Sequence, residues 1–284
     1  MTTIAKLDKG PVHPAVAVLR RTRANLAASL AILLRAPRGC GQRLRLLPPT
    51  ARLCVAVGAT LAAIAAAMIL VDARAIEISA GLPYTVNNAF EAITDFGLSG
   101  WFLFPTAFLI VVIAAVSRQR LGRMTSLVLV ALVVRVEFVF WAIAMPGLAG
   151  TVAKHLIGRM RPSAFGPFVF VPFSLRPELA SIPSGHATTA FSAAIAIGAL
   201  FPRARVAMWV YALVIAASRV IVQAHFPSDV IAGAFVGGLG ALMVRNWFAA
   251  RRLAFTVDGD GVVRPWPGPS LRRLKRVARV IFSR

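Results

Sequence analysis

Apolar residues in this chain collect in long unbroken blocks rather than at alternating positions. Six blocks run over roughly 53–71, 100–117, 125–146, 185–201, 205–222 and 229–248. Each approaches the ~17–25 residues that a helix needs to cross a bilayer. The pattern therefore predicts an all-α polytopic membrane protein, six transmembrane helices in a bundle. The fourth block is the shortest and carries Ser192 among alanines, so its neighbours are expected to enclose it. Phe201-Pro202-Arg203-Ala204 predicts a tight turn that makes the fourth and fifth spans antiparallel neighbours. Gly233, Gly237, Gly238 and Gly240 allow close helix contact in the sixth span.

Shorter amphipathic stretches flank these blocks. Leu26, Leu30, Leu33 and Leu34 share one helical face beside Arg20, Arg21, Arg23 and Arg35, and predict a helix lying on the inner surface. Leu271, Leu274, Val277 and Ile281 repeat the pattern among Arg272, Arg273, Lys275, Arg276 and Arg279. Val86, Phe90 and Ile93 predict a short helix on the outer side. Asp258-Gly259-Asp260-Gly261 lacks the downstream Glu of a calcium loop and sits between Thr256-Val257 and Val262-Val263, which predicts a hairpin turn. The expected organisation is a basic N-terminal segment 1–50, a six-span domain 51–249 and a basic tail 250–284.

Composition agrees with the pattern: 58% of the 284 residues are hydrophobic, and mean hydropathy is +0.75. A net charge of +22 would suggest nucleic acid in a soluble chain. Its placement argues otherwise, because no stacking aromatics accompany the basic runs. With the N-terminus inside, 25 of the 32 Lys and Arg fall in inner segments and six in outer ones, while Arg135 lies within the third span. That bias predicts a membrane protein with both termini inside, its basic ends touching anionic phospholipids; in a bacterium this is the inner membrane, with both termini cytoplasmic. Cys40 and Cys54 form neither a disulfide framework nor a zinc site. No cleavable signal peptide is expected, since about fifty mixed residues precede the first apolar block. Arg135 and Glu137 inside the third span are expected to snorkel or pair between helices.

The chemistry lies in three blocks: Lys154 with Arg161-Pro162, then Pro183-Ser184-Gly185-His186, then Ser218-Arg219 with His225 and Asp229. All fall in or beside the outer segments, which places a candidate active site on the periplasmic face. Ser184 is a favourable helix N-cap, and the unpaired amides behind it suit an anion. Gly185 lets an oxygen approach the backbone, and His186 stands where an imidazolium can protonate a leaving group. Asp229, in the first turn after Pro227, can accept from one nitrogen of His225 and leave the other free to attack. Seven positions apart on a helix, Lys154 and Arg161 would project from one side, and Pro162 ends that helix or turns the chain away. Arg161 offers two parallel bonds and Lys154 a point charge. Four of the six outer cations belong to these blocks if Arg159 is counted with them. Anion binding explains why they defy the charge bias.

In order and spacing, K-x6-R-P, P-S-G-H and S-R-x5-H-x3-D, the blocks resemble the signature of the type 2 phosphatidic acid phosphatase superfamily, which also includes vanadium haloperoxidases. The likeness covers residues 154–229, and the six-span layout around it resembles the bacterial membrane lipid phosphatases of that superfamily. It implies a hydrolase that takes a phosphomonoester or terminal diphosphate from a lipid: lipid A, undecaprenyl diphosphate, phosphatidylglycerophosphate or phosphatidate. It further implies a phosphohistidine at His225, polarised by Asp229, with His186 as proton donor. Lys154, Arg161, Ser184, the Gly185 amide and Arg219 would bind the phosphoryl oxygens. No metal or other cofactor is implied. A phosphotransferase of the same superfamily is the alternative, and a silent scaffold would lack a catalytic letter, which this chain does not.

Overall fold

The computed structural model describes residues 13–37, 49–118, 121–162 and 168–282. Cys40 and the basic residues in 1–12 and 38–48 lie outside that set. Ten helices are described: α1 (Pro14–Leu34), α2 (Thr50–Leu70), α3 (Asp72–Ala80), α4 (Tyr84–Asp95), α5 (Gly100–Val116), α6 (Arg123–Ile157), α7 (Gly185–Leu200), α8 (Arg205–Ile221), α9 (Pro227–Ala250) and α10 (Leu271–Phe282). A hairpin of β1 (Phe255–Val257) and β2 (Val263–Pro265) turns at Asp258–Val262, where the Asp258 amide donates to the Val262 carbonyl at 3.0 Å.

Five stretches are long and apolar enough to span: 50–70, 84–116, 123–157, 202–221 and 227–250. The expected fourth span, α7, has 16 residues, about 24 Å of helix. It tolerates its shortness by being enclosed, packing on α6, α8 and α9 with Ala187, Ala190, Ala193 and Ala196 fully buried. Small residues suit this place, since helices in lipid associate by close packing rather than by hydrophobic expulsion. A Cβ on Gly237 would stand 2.3 Å from the Thr188 carbonyl oxygen, so α9 meets α7 backbone to backbone. The outside is apolar, with Val55, Leu61, Phe104, Phe108 and Val210 exposed, as a lipid-facing bundle requires. The protein is a multi-pass membrane protein.

At the end away from the three sequence blocks, the flanking segments close the bundle. Arg21 Nε donates to the Ala115 carbonyl at 2.8 Å, and Asn25 Nδ2 to those of Ala114 and Ser117 at 2.7 and 2.9 Å. Helix α1 thereby satisfies the carbonyls that α5 leaves open at its end. Leu274, Val277 and Ile281 of α10 pack on Ile113, Val128 and Leu129. Phe255 of the hairpin meets the Phe138 ring edge-on at 4.8 Å. The two charges of the third span have different partners. Glu137 accepts from Ser29 Oγ of α1 at 2.5 Å, and Arg135 donates to the carbonyls of Ala131, Trp266 and Pro267.

Candidate active site

Helix α6 runs 35 residues, about 52 Å, well past the block that the sequence marked as its span. Its extension carries Lys154 in the last turn. Gly158 then ends the helix at φ 65°, and a Cβ there would stand 1.8 Å from the Val171 carbonyl oxygen. This corrects the expectation of one helix through Lys154 and Arg161 ended by Pro162. The left-handed glycine stops the helix four residues after Lys154 and turns the chain back. Arg161 reaches the site from the returning segment, its amide on the Glu178 carbonyl at 2.9 Å and its Nε on that of Pro177 at 3.1 Å.

Helix α7 starts at the site. Ser184 is its N-cap, fully buried, with its amide on the Asp229 carbonyl at 2.9 Å. Its hydroxyl caps nothing and has no partner among the described residues. A buried hydroxyl at a helix N-terminus, beside open amides, is a ready oxygen ligand. A Cβ on Gly185 would lie 3.4 Å from Lys154 Nζ, so the ammonium stands directly over this helix start. His186 is the next residue, within electrostatic reach of Lys154, Arg161, Arg219 and His225. Arg219, near the end of α8, donates to Thr94 Oγ1 of α4 at 2.6 Å, while its buried Nε has no partner among the described residues. Ser218 Oγ holds the same Thr94 hydroxyl at 3.0 Å.

His225 occupies the link from α8 to α9, its amide and that of Ala224 each on the Arg219 carbonyl at 3.1 Å. It is almost wholly buried, and burial pushes its imidazole down to about 4. Asp229 opposes that shift, and Arg161 and Arg219 reinforce it. The ring is therefore neutral near neutral pH, the form that can attack. Asp229, in the first turn of α9, accepts the Phe226 amide on Oδ2 at 2.9 Å and lies 3.7 Å from His225 Nδ1.

Arg159, counted from sequence among the anion-binding cations, does something else. It is fully buried and donates to Asp229 Oδ1 at 2.6 Å, Ser228 Oγ at 2.6 Å and Asp72 Oδ2 at 2.7 Å, with Phe226 stacked 4.4 Å away. Asp72, at the start of α3, also receives the Ser228 amide at 3.0 Å and its hydroxyl at 2.5 Å. A cation bound to two buried carboxylates belongs to the frame, not to a phosphate pocket. Asp72, Thr94, Ser181 and Ser228 were missed by the sequence reading. Asp72, a lone carboxylate just after an apolar block, left the one usable signal.

Four helix ends and two connecting segments thus bring together a cluster of cations, two imidazoles, an orienting carboxylate and an open helix N-terminus. In an apolar multi-pass bundle they define a membrane phosphatase. The family model described as the PAP2 superfamily matches residues 135–253. The chain is 37% identical over 225 residues to a lipid A 1-phosphatase of Rhizobium johnstonii, covering 77% of this chain and 88% of that protein. It is 28% identical over 127 residues to a lipid A 4'-phosphatase of Bacteroides thetaiotaomicron, covering 43% of this chain and 54% of that protein. Its fold is similar to the crystal structure of Aquifex aeolicus LpxE, with 19% identity, a TM-score of 0.45, and coverage of 61% of this chain and 93% of that one. The chain belongs to the PAP2 superfamily.

Proposed function

We propose that this protein removes a phosphate from lipid A, the 1-phosphate first, by a phosphohistidine on His225 at the periplasmic face of a bacterial inner membrane. The observation that carries the mechanism is the setting of His225: buried, neutral, with Nδ1 turned toward Ser181 and Asp229, which leaves Nε2 for attack, and with Arg161 and Arg219 in electrostatic reach of the ring. Lys154, Arg161 and Arg219 neutralise the phosphoryl oxygens, helped by Ser184 Oγ and the Gly185 amide. Nε2 forms the N–P bond as the P–O bond to the lipid breaks, and His186 protonates the departing oxygen. Water then attacks phosphorus while His186 takes its proton, the N–P bond breaks to return neutral His225, and phosphate leaves.

The 37% relative supports lipid A as substrate, and the excess of cations in the other segments supports the periplasmic side. A panel of lipid A, undecaprenyl diphosphate, phosphatidylglycerophosphate and phosphatidate, assayed in detergent with EDTA, tests the reading. Free phosphate should come fastest from lipid A and not at all with His225→Ala. Turnover confined to a glycerophospholipid would overturn the substrate. Loss of the lipid phosphate without free phosphate would mark a phosphotransferase.

A further inference from the structure

The Asp229 carboxylate accepts three hydrogen bonds before it meets the histidine. Its Oδ1 takes Arg159, and its Oδ2 takes the Phe226 amide at 2.9 Å and the Ser181 hydroxyl at 2.5 Å. The 3.7 Å from Oδ2 to His225 Nδ1 exceeds a direct hydrogen bond. Ser181 Oγ is closer, 3.4 Å from that nitrogen, and fully buried with it. We propose that Ser181 is a positioning residue that links His225 to Asp229, accepting from the Nδ1–H of His225 while donating its own proton to the carboxylate. The inference rests on the phosphohistidine reading above and adds to it.

The chemistry of a hydroxyl allows both roles at once, since it has one proton to give and two lone pairs. The Asp229 bond fixes where that proton points, so a lone pair is left for Nδ1–H. That selects the tautomer with a free Nε2. The serine itself is held by its amide, which donates to the Arg159 carbonyl at 3.0 Å. As the N–P bond forms and the P–O bond breaks, the ring becomes cationic. Its charge reaches Asp229 through the hydroxyl, and no proton leaves Ser181. Groups that hold a metal-bound histidine from behind are worth about 10- to 100-fold in activity, and the same scale is expected where the histidine attacks phosphorus. Ser181 stands two residues before the P-S-G-H block and outside all three blocks.

The test uses the full-length protein in detergent, with Ser181→Ala and the near-isosteric Ser181→Cys. Both should lower kcat about 10- to 100-fold, by slower formation of the phosphoenzyme. Both should keep KM and the inhibition constant of inorganic phosphate, because the cations that hold the anion are untouched. If the Ala variant does not fold, the Cys variant decides, as a thiol is a poor substitute for either bond. Wild-type phosphorylation rates in either variant would overturn the proposal. So would a kcat loss matched by loss of phosphate inhibition, which would place Ser181 in the phosphate pocket. Absence of phosphohistidine in the wild type would instead sink the mechanism on which it rests.

Discussion

Arg159→Met should cost both stability and turnover, although Arg159 is committed to two buried carboxylates rather than to an anion. The substitution keeps length and apolar bulk, so the loss is mainly electrostatic. Removing one partner of a buried ion pair costs about 3–5 kcal/mol, and Arg159 is shared by Asp72 and Asp229, each fully buried. At roughly 2–4 °C per kcal/mol for chains of 150–250 residues, the unfolding midpoint should fall by roughly 6–20 °C. Adding Asp72→Asn should return part of that loss, since it removes one of the two stranded charges, with a coupling of about 0.5–3 kcal/mol. Turnover should not recover, because Asp229 still lacks its anchor on Oδ1. Thermal scans in detergent and phosphate release, run on both singles and the double variant, measure each quantity. An unchanged midpoint for Arg159→Met, or strictly additive losses in the double variant, would refute the picture of one cation holding two carboxylates.

Three further outcomes are expected. The imidazole of His225 titrates near 4 when folded against an ordinary 6.5. Below 6.5 the unfolded chain binds a proton the folded one refuses, so stability present above that pH is lost on the way down to 4. The group contributes about 3 kcal/mol to that loss. Denaturation across this window should be shallower for His225→Asn, and equal slopes would show the ring is not held neutral. With His186→Ala, a lipid alcohol should suffer roughly 10²- to 10⁴-fold in turnover, while an aryl phosphate, which needs no protonation to leave, should lose far less. Equal losses would remove His186 as the proton donor. Leu175 is highly exposed, two residues before Pro177, whose carbonyl takes Arg161. Leu175→Cys, with Cys40 and Cys54 replaced by Ala, should be labelled by an impermeant maleimide on intact spheroplasts. Labelling only after lysis would reverse the orientation.

The bundle was legible because lipid demands long apolar blocks, and the phosphate chemistry because its residues sit in short, fixed spacings. Helix α7 was readable as an enclosed span from its alanines and its length. The end of α6 was not. Gly158 is a letter that stops helices, but Pro162 is the louder breaker, so the spacing of Lys154 and Arg161 places the stop too late; the left-handed turn is fixed by the close approach of the Val171 carbonyl to Gly158. Arg159 misled for a related reason. A cation outside the membrane looks like an anion site until its partners are known, and Asp72 lies 87 positions away in sequence. Thr94 and Ser181 are ordinary polar letters whose work depends on long-range placement. Their neighbours came from α8 and α9, which no local pattern reveals.

The most direct test of the account is where phosphorus goes. Purified protein mixed with lipid A, quenched at alkaline pH during turnover and mapped by peptide mass spectrometry, should carry phosphate on His225. The phosphopeptide should be absent from His225→Ala and should vanish from the wild type when substrate runs out. Phosphate on another residue, or hydrolysis by the wild type with no phosphorylated histidine at any time, would contradict it.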